Sequence, residues 1–248
     1  MLSQVCQFLS TFIEELIKRI QMQNTVIIVA GGSGTRMKSE IPKQFIELNG
    51  RPILMHTIDR FYSWDDKIQI RLVLPDEQIN FWKDLCRKHN FSVSHDICRG
   101  GITRFHSVKN GLAGLSNDGL IAIHDGVRPL VDMDTINNCF KAAEEYGAAI
   151  PVIPVLETIR KTDGEFSYTV DRNTFKLVQT PQVFDASLLI EAYNQEYDES
   201  FTDDASLIES TGKLVILVDG NRENIKITTP SDLKIAQAFL NNTYLPVS

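Results

Sequence analysis

A run of β-branched and aliphatic residues, Val26 to Val29, stops abruptly at Ala30-Gly31-Gly32-Ser33-Gly34. Cations follow within the same stretch, TVIIVAGGSGTRMKSEIPKQ, Arg36 and Lys43 among them. Such a run reads as a buried strand that ends at a sheet edge and opens into a loop of bare backbone. Glycine there lets backbone N–H groups approach a bulky anion and tolerates positive φ. Arg36 and Lys43 add full charges that backbone dipoles lack. The pattern describes a seat for a polyphosphate. It is neither of the common glycine motifs. No Lys follows Gly34 directly, as a P-loop requires, and no third glycine completes the dinucleotide fingerprint. A bare G-x-G after a strand is as often a plain turn, so the wider string carries the argument.

The chain has 248 residues, 43% of them hydrophobic and 23% charged, which suits one α/β domain. A net charge of −7 argues against a general nucleic-acid surface, though a few local cations still suffice for one anionic substrate. Cys6, Cys86, Cys98 and Cys139 are scattered without a C-x-x-C, and the five histidines show no metal-type spacing. Reduced thiols in a cytoplasmic protein are the expectation. Residues 2 to 21 carry Val5, Phe8, Leu9, Phe12, Ile13, Leu16, Ile17 and Ile20 at helical spacing, which predicts an amphipathic helix. Glu14 and Glu15 interrupt it, so it fits neither a signal peptide nor a membrane span. Met22 is the expected native start, with an upstream extension before it; the alternative is a docking helix.

Further on, the pattern predicts the Asn49-Gly50 turn, a helix from Pro52 to about Phe61, and a strand from Ile68 to Leu74. A helix near 76–89 and a strand near 91–97 follow. Gly100-Gly101 opens a second loop into a helix through Arg104 and Ser107. Leu120 to Ile123 is a strand ending in His124-Asp125-Gly126-Val127-Arg128-Pro129. A helix near 133–146 leads to a strand from Ala148 to Ile153. Ile159 to Val170 reads as a hairpin about Asp163-Gly164, polar enough for an arm that packs on a partner subunit. Then come a strand near 176–179, helices near 185–197 and 202–210, a strand from Leu214 to Val218, Asn224-Ile225-Lys226-Ile227 with Lys226 at a strand end, and a helix from about Ser231. Alternating strands and helices mean a parallel sheet with ligands at the strands' carboxyl ends. Three ligand-like loops fall at such ends: 30–43, 100–107 and 124–129.

AGGSGTRM, PKQ, HDGVRP, VDRNTF, QTPQVF, TDDAS and NIKITTPSDL occur in that order. Together they resemble the methylerythritol phosphate cytidylyltransferase family, within the nucleotide-diphosphate-sugar pyrophosphorylase-like superfamily. The resemblance runs from about residue 24 to the C-terminal helix. It implies an α/β fold: a Rossmann-like, mostly parallel sheet flanked by helices, with a protruding β-arm for dimerisation. On that basis residues 1–23 are an N-terminal extension and 24–248 a cytidylyltransferase domain, with its arm at about 157–172. Ribitol phosphate cytidylyltransferases share several motifs but typically lack the Asp of D-R-N and the T-D-D/E-A-S form, so Asp171-Arg172 and Thr202 to Ser206 favour the erythritol enzyme. A non-catalytic nucleotide sensor is the rival of another class. Two departures stand out: the family's HDAARP is HDGVRP here, and Ile102 occupies a position where Asp is frequent.

The implied reaction transfers CMP from CTP to methylerythritol phosphate in non-mevalonate isoprenoid synthesis. The nucleophile is already an anion, so cations and Mg²⁺ or another divalent ion carry the chemistry. By resemblance, Arg36, Lys43 and Lys226 are catalytic cations. Ala30, Gly31, Gly32, Gly34, Gly101, Arg104 and Ser107 hold the nucleotide, and cytosine is read by backbone of Ala30, Gly31 and Gly101. Asp125 sits near ribose and metal. Thr158 and Arg172 grip the substrate's own phosphate, Arg172 reaching the neighbouring subunit of a homodimer. Structural alternatives stand beside these: a turn for Asp125, a helix cap for Ser107, a loop-holding role for Arg128, pairing with Asp171 for Arg172, and helix capping for Asp203 and Asp204.

Overall fold

The computed structural model describes residues 23–32 and 41–242. The expected N-terminal helix, the start at Met22, Gly34 and Arg36 lie outside these residues.

Strand β1 (Thr25–Val29) is the middle of the molecule. Its alternating side chains enter two different cores: Val26 and Ile28 pack on one face, Ile27 on the other. A strand buried on both faces needs a continuous apolar run, and that is why this one has no polar alternation. Beside it lie β4 (Gln69–Leu74) and β6 (Leu120–Asp125), both parallel to it. β5 (Asp96–Arg99) extends the β4 side in parallel. The chain therefore leaves β1 toward one side and later returns to the other. The carboxyl end of β1 is thus the switch point at which open α/β sheets bind ligands.

Helices α1 (Ile53–Trp64), α2 (Asp76–Lys88) and α4 (Met133–Tyr146) cover one face, and α3 (Arg104–Leu112) covers the other. α3 sits very close to β1. A Cβ on Gly111 would come within 2.7 Å of Ile27 Cγ2, so only glycine lets the helix approach this far. The Asn49-Gly50 turn joins β2 (Glu47–Leu48) to β3 (Arg51–Pro52), with φ of 51° and 79° at its two residues.

The second half of the sheet departs from simple alternation. β7 (Ala148–Pro154) does not pair with β6; β11 (Gln182–Asp185) lies between them, antiparallel to both. β10 (Lys176–Val178) pairs antiparallel with β7, and β12 (Ile216–Asp219) runs parallel to it. The sheet is thus mostly parallel, with two antiparallel strands. Residues 182–184 were assigned no element, and a helix was expected from about 185. Instead Gln182–Asp185 forms a central strand, and α5 (Ala186–Ala192) is correspondingly shorter than 185–197. The expected strand at 91–97 forms only from Asp96, and 224–227 forms no strand, being held by Ile227 N–H to Val127 C=O at 3.0 Å. α6 (Asp204–Ser210) and α7 (Pro230–Asn242) complete the described residues.

The expected hairpin forms: β8 (Ile159–Asp163) and β9 (Phe166–Val170) make a separate two-stranded sheet, with Gly164 at φ 58° in its turn. Phe166 and Tyr168 on it stand 79% and 51% exposed. Among the described residues no helix is long and apolar enough to cross a membrane. Cys86, Cys98 and Cys139 are free thiols.

Candidate active site

At the carboxyl ends of β1, β5 and β6 the three loops meet around one cavity of about 690 Å³, measured to include its open mouth. Ala30, Gly31, Gly32, Lys43, Gly101, Arg104, Ser107, Asp125 and Lys226 all line it, together with Gln44, Ile102 and Thr103. Residues as far apart in the chain as Ala30 and Lys226, 196 positions, are thereby brought to one wall.

Each loop is fixed by ladder bonds that run past the strand ends. Ala30 N–H donates to Val73 C=O at 3.0 Å, Gly126 N–H to Val29 C=O at 2.9 Å, and Gly100 N–H to Leu74 C=O at 2.7 Å. The Lys43–Phe45 turn is 3₁₀ and buried. Gln44 ties it down, its Nε2 donating to Ala30 C=O at 2.7 Å. Lys43 thereby faces the glycine loop: a Cβ built on Gly32 would lie 3.6 Å from its Nζ. Both backbone groups of Ala30 are consequently engaged within the fold. In the second loop, Thr103 caps α3 by accepting from His106 N–H, the role foreseen as an alternative for Ser107. Ser107 Oγ instead accepts from Gly101 N–H at 3.0 Å and donates to Thr103 C=O at 2.9 Å. A Cβ on Gly101 would meet His106 Cβ at 2.4 Å and its carbonyl carbon at 2.8 Å, so this approach excludes any side chain.

Asp125 is the electrostatic centre. Its Oδ2 lies 3.1 Å from Lys226 Nζ and 3.0 Å from Arg128 Nε. Burial alone would push this carboxyl up; the charges of Lys226, Arg104 and Arg128 outweigh it and hold it far below the usual carboxylate range. Arg128 also donates to Asn224 C=O at 2.7 Å, so it does hold its loop, as the structural alternative has it.

His124 stands behind the site, fully buried. Its Nε2 lies 3.0 Å from Arg128 C=O, which can only accept, so Nε2 carries the proton. Nδ1 then accepts from Thr180 Oγ1 at 3.1 Å, and Thr180 in turn accepts from Asp125 N–H at 3.1 Å. Burial lowers the imidazole pKa to about 4. The unfolded chain takes up this proton below about pH 6.5, whereas the folded chain waits until about pH 4. Stability therefore falls as pH drops through that window, by roughly 3 kcal/mol at its lower end for this group. Thermal melts from pH 7 to pH 4 should show the decline, and His124→Gln should flatten it. An unchanged slope in the variant would place the proton uptake elsewhere, with the partly buried His56 and His95 next in line.

A second cavity adjoins the first across a shared wall of Arg104, Asp125 and Lys226. Arg128, Gln179, Thr180, Gln182, Thr202 and Asp203 line its far side. Asn224, wholly buried, braces this wall through Nδ2 to Thr180 C=O at 2.8 Å. Gln44, Thr180, Gln182, Thr202 and Asn224 had no role assigned from the sequence, although PKQ, QTPQVF, TDDAS and NIK contain them. Their signal was membership of a motif, and their task is visible only in contacts. Thr158 and Arg172 are exposed and line neither cavity. Arg172 donates to Leu156 C=O, and Asp171 caps Asn173 N–H at 3.0 Å rather than pairing with it.

A profile of the 2-C-methyl-D-erythritol 4-phosphate cytidylyltransferase family matches residues 24–242. The chain belongs to that family. It is 57% identical over 219 residues to the Bacteroides fragilis enzyme of that name and 56% identical to the Phocaeicola vulgatus one, covering 88% of this chain and 100% of each relative. Among solved structures it resembles 4-diphosphocytidyl-2C-methyl-D-erythritol synthase from Anaerococcus prevotii, with TM-score 0.75 and 30% identity over 89% of this chain and 96% of the other. The Thermus thermophilus cytidylyltransferase gives TM-score 0.72 and 32% identity over 89% and 100%. Family members are cytidylyltransferases, so this chain is an enzyme of that class. Of its two departures, Gly126 has a packing reason: an added Cβ would lie 2.8 Å from the Ala30 Cβ. Ile102 is 91% exposed on the cavity rim.

Proposed function

We propose that the chain transfers CMP from CTP to 2-C-methyl-D-erythritol 4-phosphate, with the nucleotide in the first cavity and the sugar-alcohol phosphate in the second. The observation that carries this is the shared wall. Two anions must meet at one phosphorus, and among the described residues the ones common to both cavities are two cations and the carboxylate that orients one of them. A phosphate oxygen of the acceptor attacks the α-phosphorus, a new P–O–P linkage forms, and the bond to the β-phosphate breaks, its electron pair leaving with pyrophosphate. No strong general base is needed. Lys43 and Lys226, with Arg36 of the glycine loop, hold the charge that gathers at the crowded phosphorus. Gly31, Gly32 and Gly34 contribute backbone to the phosphates. With Ala30 N–H committed to the sheet, cytosine selection falls to Gly31 and the Gly101 carbonyl.

A divalent ion fits this site. Among the described residues no group of three or more His, Cys, Asp or Glu could cage a metal, but Mg²⁺ in nucleotide sites commonly takes one carboxylate plus substrate phosphates. Both cations engage Oδ2 of Asp125, so Oδ1 is the oxygen we assign to the ion. Held there, the ion supplies neutralisation of non-bridging phosphate oxygens.

The exposed arm supports a homodimer in which Thr158 and Arg172 serve the partner's second cavity. Phe166, Tyr168, Phe175, Leu177 and Val178 are all exposed around it, an apolar surface that a second copy would cover. Arg172→Ala should raise KM for the acceptor by about ten-fold or more, as loss of a charge-assisted bond does, and leave CTP affinity within about two-fold. Equal loss of both would contradict the arm's role. The reading as a whole is tested by incubating the protein with CTP, Mg²⁺ and methylerythritol phosphate and following pyrophosphate; a folded protein with no release overturns it. The same assay with ribitol phosphate measures the acceptor preference.

A further inference from the structure

Arg104 emerges from the first turn of α3 and forms part of the wall between the two cavities. Its side chain is 32% exposed, yet its partner, Asp204, is 0% exposed. Arg104 Nη2 donates to Asp204 Oδ2 at 2.5 Å, and Tyr193 Oη donates to Asp204 Oδ1 at 2.5 Å. Both carboxylate oxygens are thus spoken for, one by a cation and one by a neutral phenol. Burial and the neighbouring Asp204 push the Tyr193 hydroxyl well above its ordinary range, so it stays a donor. Tyr193 is itself fixed: its ring stacks on Phe105, the residue after Arg104, with centroids 4.8 Å apart.

Asp204 was expected to help cap its helix. Asp203 does that, accepting from Ser206 N–H at 2.9 Å in a capping box. Asp204, one residue on, turns inward. Its place is set by Gln182 of β11, which donates to Asp203 Oδ2 at 2.7 Å and accepts from Ala205 N–H at 3.0 Å. The start of α6 is thereby clamped to a central strand next to β6, which carries Asp125. A buried carboxylate held this firmly fixes one end of the guanidinium and leaves the rest facing the cavities.

We infer that Asp204 and Tyr193 are positioning residues, which hold Arg104 at the boundary where nucleotide and acceptor phosphates meet. The inference rests on the proposed two-cavity reading and deepens it. Asp204→Asn preserves shape but removes the charge that anchors Arg104. It should lower kcat by about ten-fold to a hundred-fold, with KM for CTP changed far less, as expected when a group is misplaced by about 1 Å. Tyr193→Phe keeps the ring stack and should give a smaller loss in the same direction.

The deciding measurement is a double-mutant cycle on full-length protein, with thermal melts alongside. In an Arg104→Ala background, Asp204→Asn and Tyr193→Phe should each add less than about two-fold to the loss, because residues acting through one group are not additive. Losses that multiply in full would assign Asp204 a general structural role and overturn the inference. So would single variants with wild-type kcat. If Asp204→Asn does not fold, the Tyr193→Phe arm decides alone. A wild-type protein with no turnover would overturn the functional reading and this inference with it, whereas an active wild type with unaffected variants overturns the inference only.

Discussion

Lys43→Met should lower kcat by about 10² to 10³, the loss seen when a preorganised donor to transition-state charge is removed. Methionine is the informative replacement because Lys43 is only 9% exposed and its stem is packed. It keeps the apolar stem and removes only the ammonium. Gln44 still ties the turn to Ala30 C=O, so the glycine loop keeps its anchor. The binding of CTP, read by calorimetry, should weaken much less than turnover, since the charge answered by Lys43 grows at the moment of attack. A variant that loses CTP affinity and kcat/KM in equal measure, with kcat intact, would make Lys43 a simple ground-state contact.

The second large effect is expected at Asp125. Asp125→Asn leaves Arg128 and Lys226 facing each other without the counter-charge they share. The loss of stability at neutral pH should be about 3 kcal/mol, the scale for breaking a buried ion pair from one side. The sign follows from the depressed pKa of this group. Its stabilisation is present above the unfolded carboxylate value near 4 and disappears only as pH falls through the much lower folded value. The gap between wild type and variant should therefore hold from pH 8 to about pH 5 and narrow only in strong acid. Turnover should fall by about 10² or more, because Lys226 loses the carboxylate that aims it and the site loses its assigned metal ligand. Affinity for CTP in the absence of metal should hold or rise, since the site becomes more positive by one charge. Weaker metal-free binding together with retained turnover would show that Asp125 serves the nucleotide and not the reaction.

Both effects involve residues that the sequence marked by motif, and the way they were marked shows where such reading stops. Val26 to Val29 is legible as a buried strand because an unbroken apolar run can only be satisfied by cover on both faces. The loops at 30–43, 100–107 and 124–129 could be placed at strand ends because apolar runs stop there in glycine or charge. Their meeting at one cavity follows from parallel strands, whose carboxyl ends share an edge. The arm was legible from its Asp163-Gly164 turn and polar alternation.

β11 was not legible. Gln182-Val183-Phe184-Asp185 is four residues long, follows a proline and runs into a helix, so nothing in its periodicity separates strand from helix start. Its position between β6 and β7 is decided by pairing with strands 59 and 34 residues earlier (Gln182 with Ile123, Val183 with Ala149). The same limit governs Asp203 and Asp204. Adjacent carboxylates at a helix start look alike in sequence. Helical rotation of about 100° per residue sends one to the cap and the other inward, and only the packed neighbours determine that the inward one meets Arg104 and Tyr193. Local chemistry, set by each residue's own backbone preference and polarity, was thus determined by the sequence itself: strands, turns, glycine loops and the charges they carry. Which charges face one another was decided by tertiary structure, because an ion pair across 100 residues exists only once the sheet has brought its two loops to the same edge.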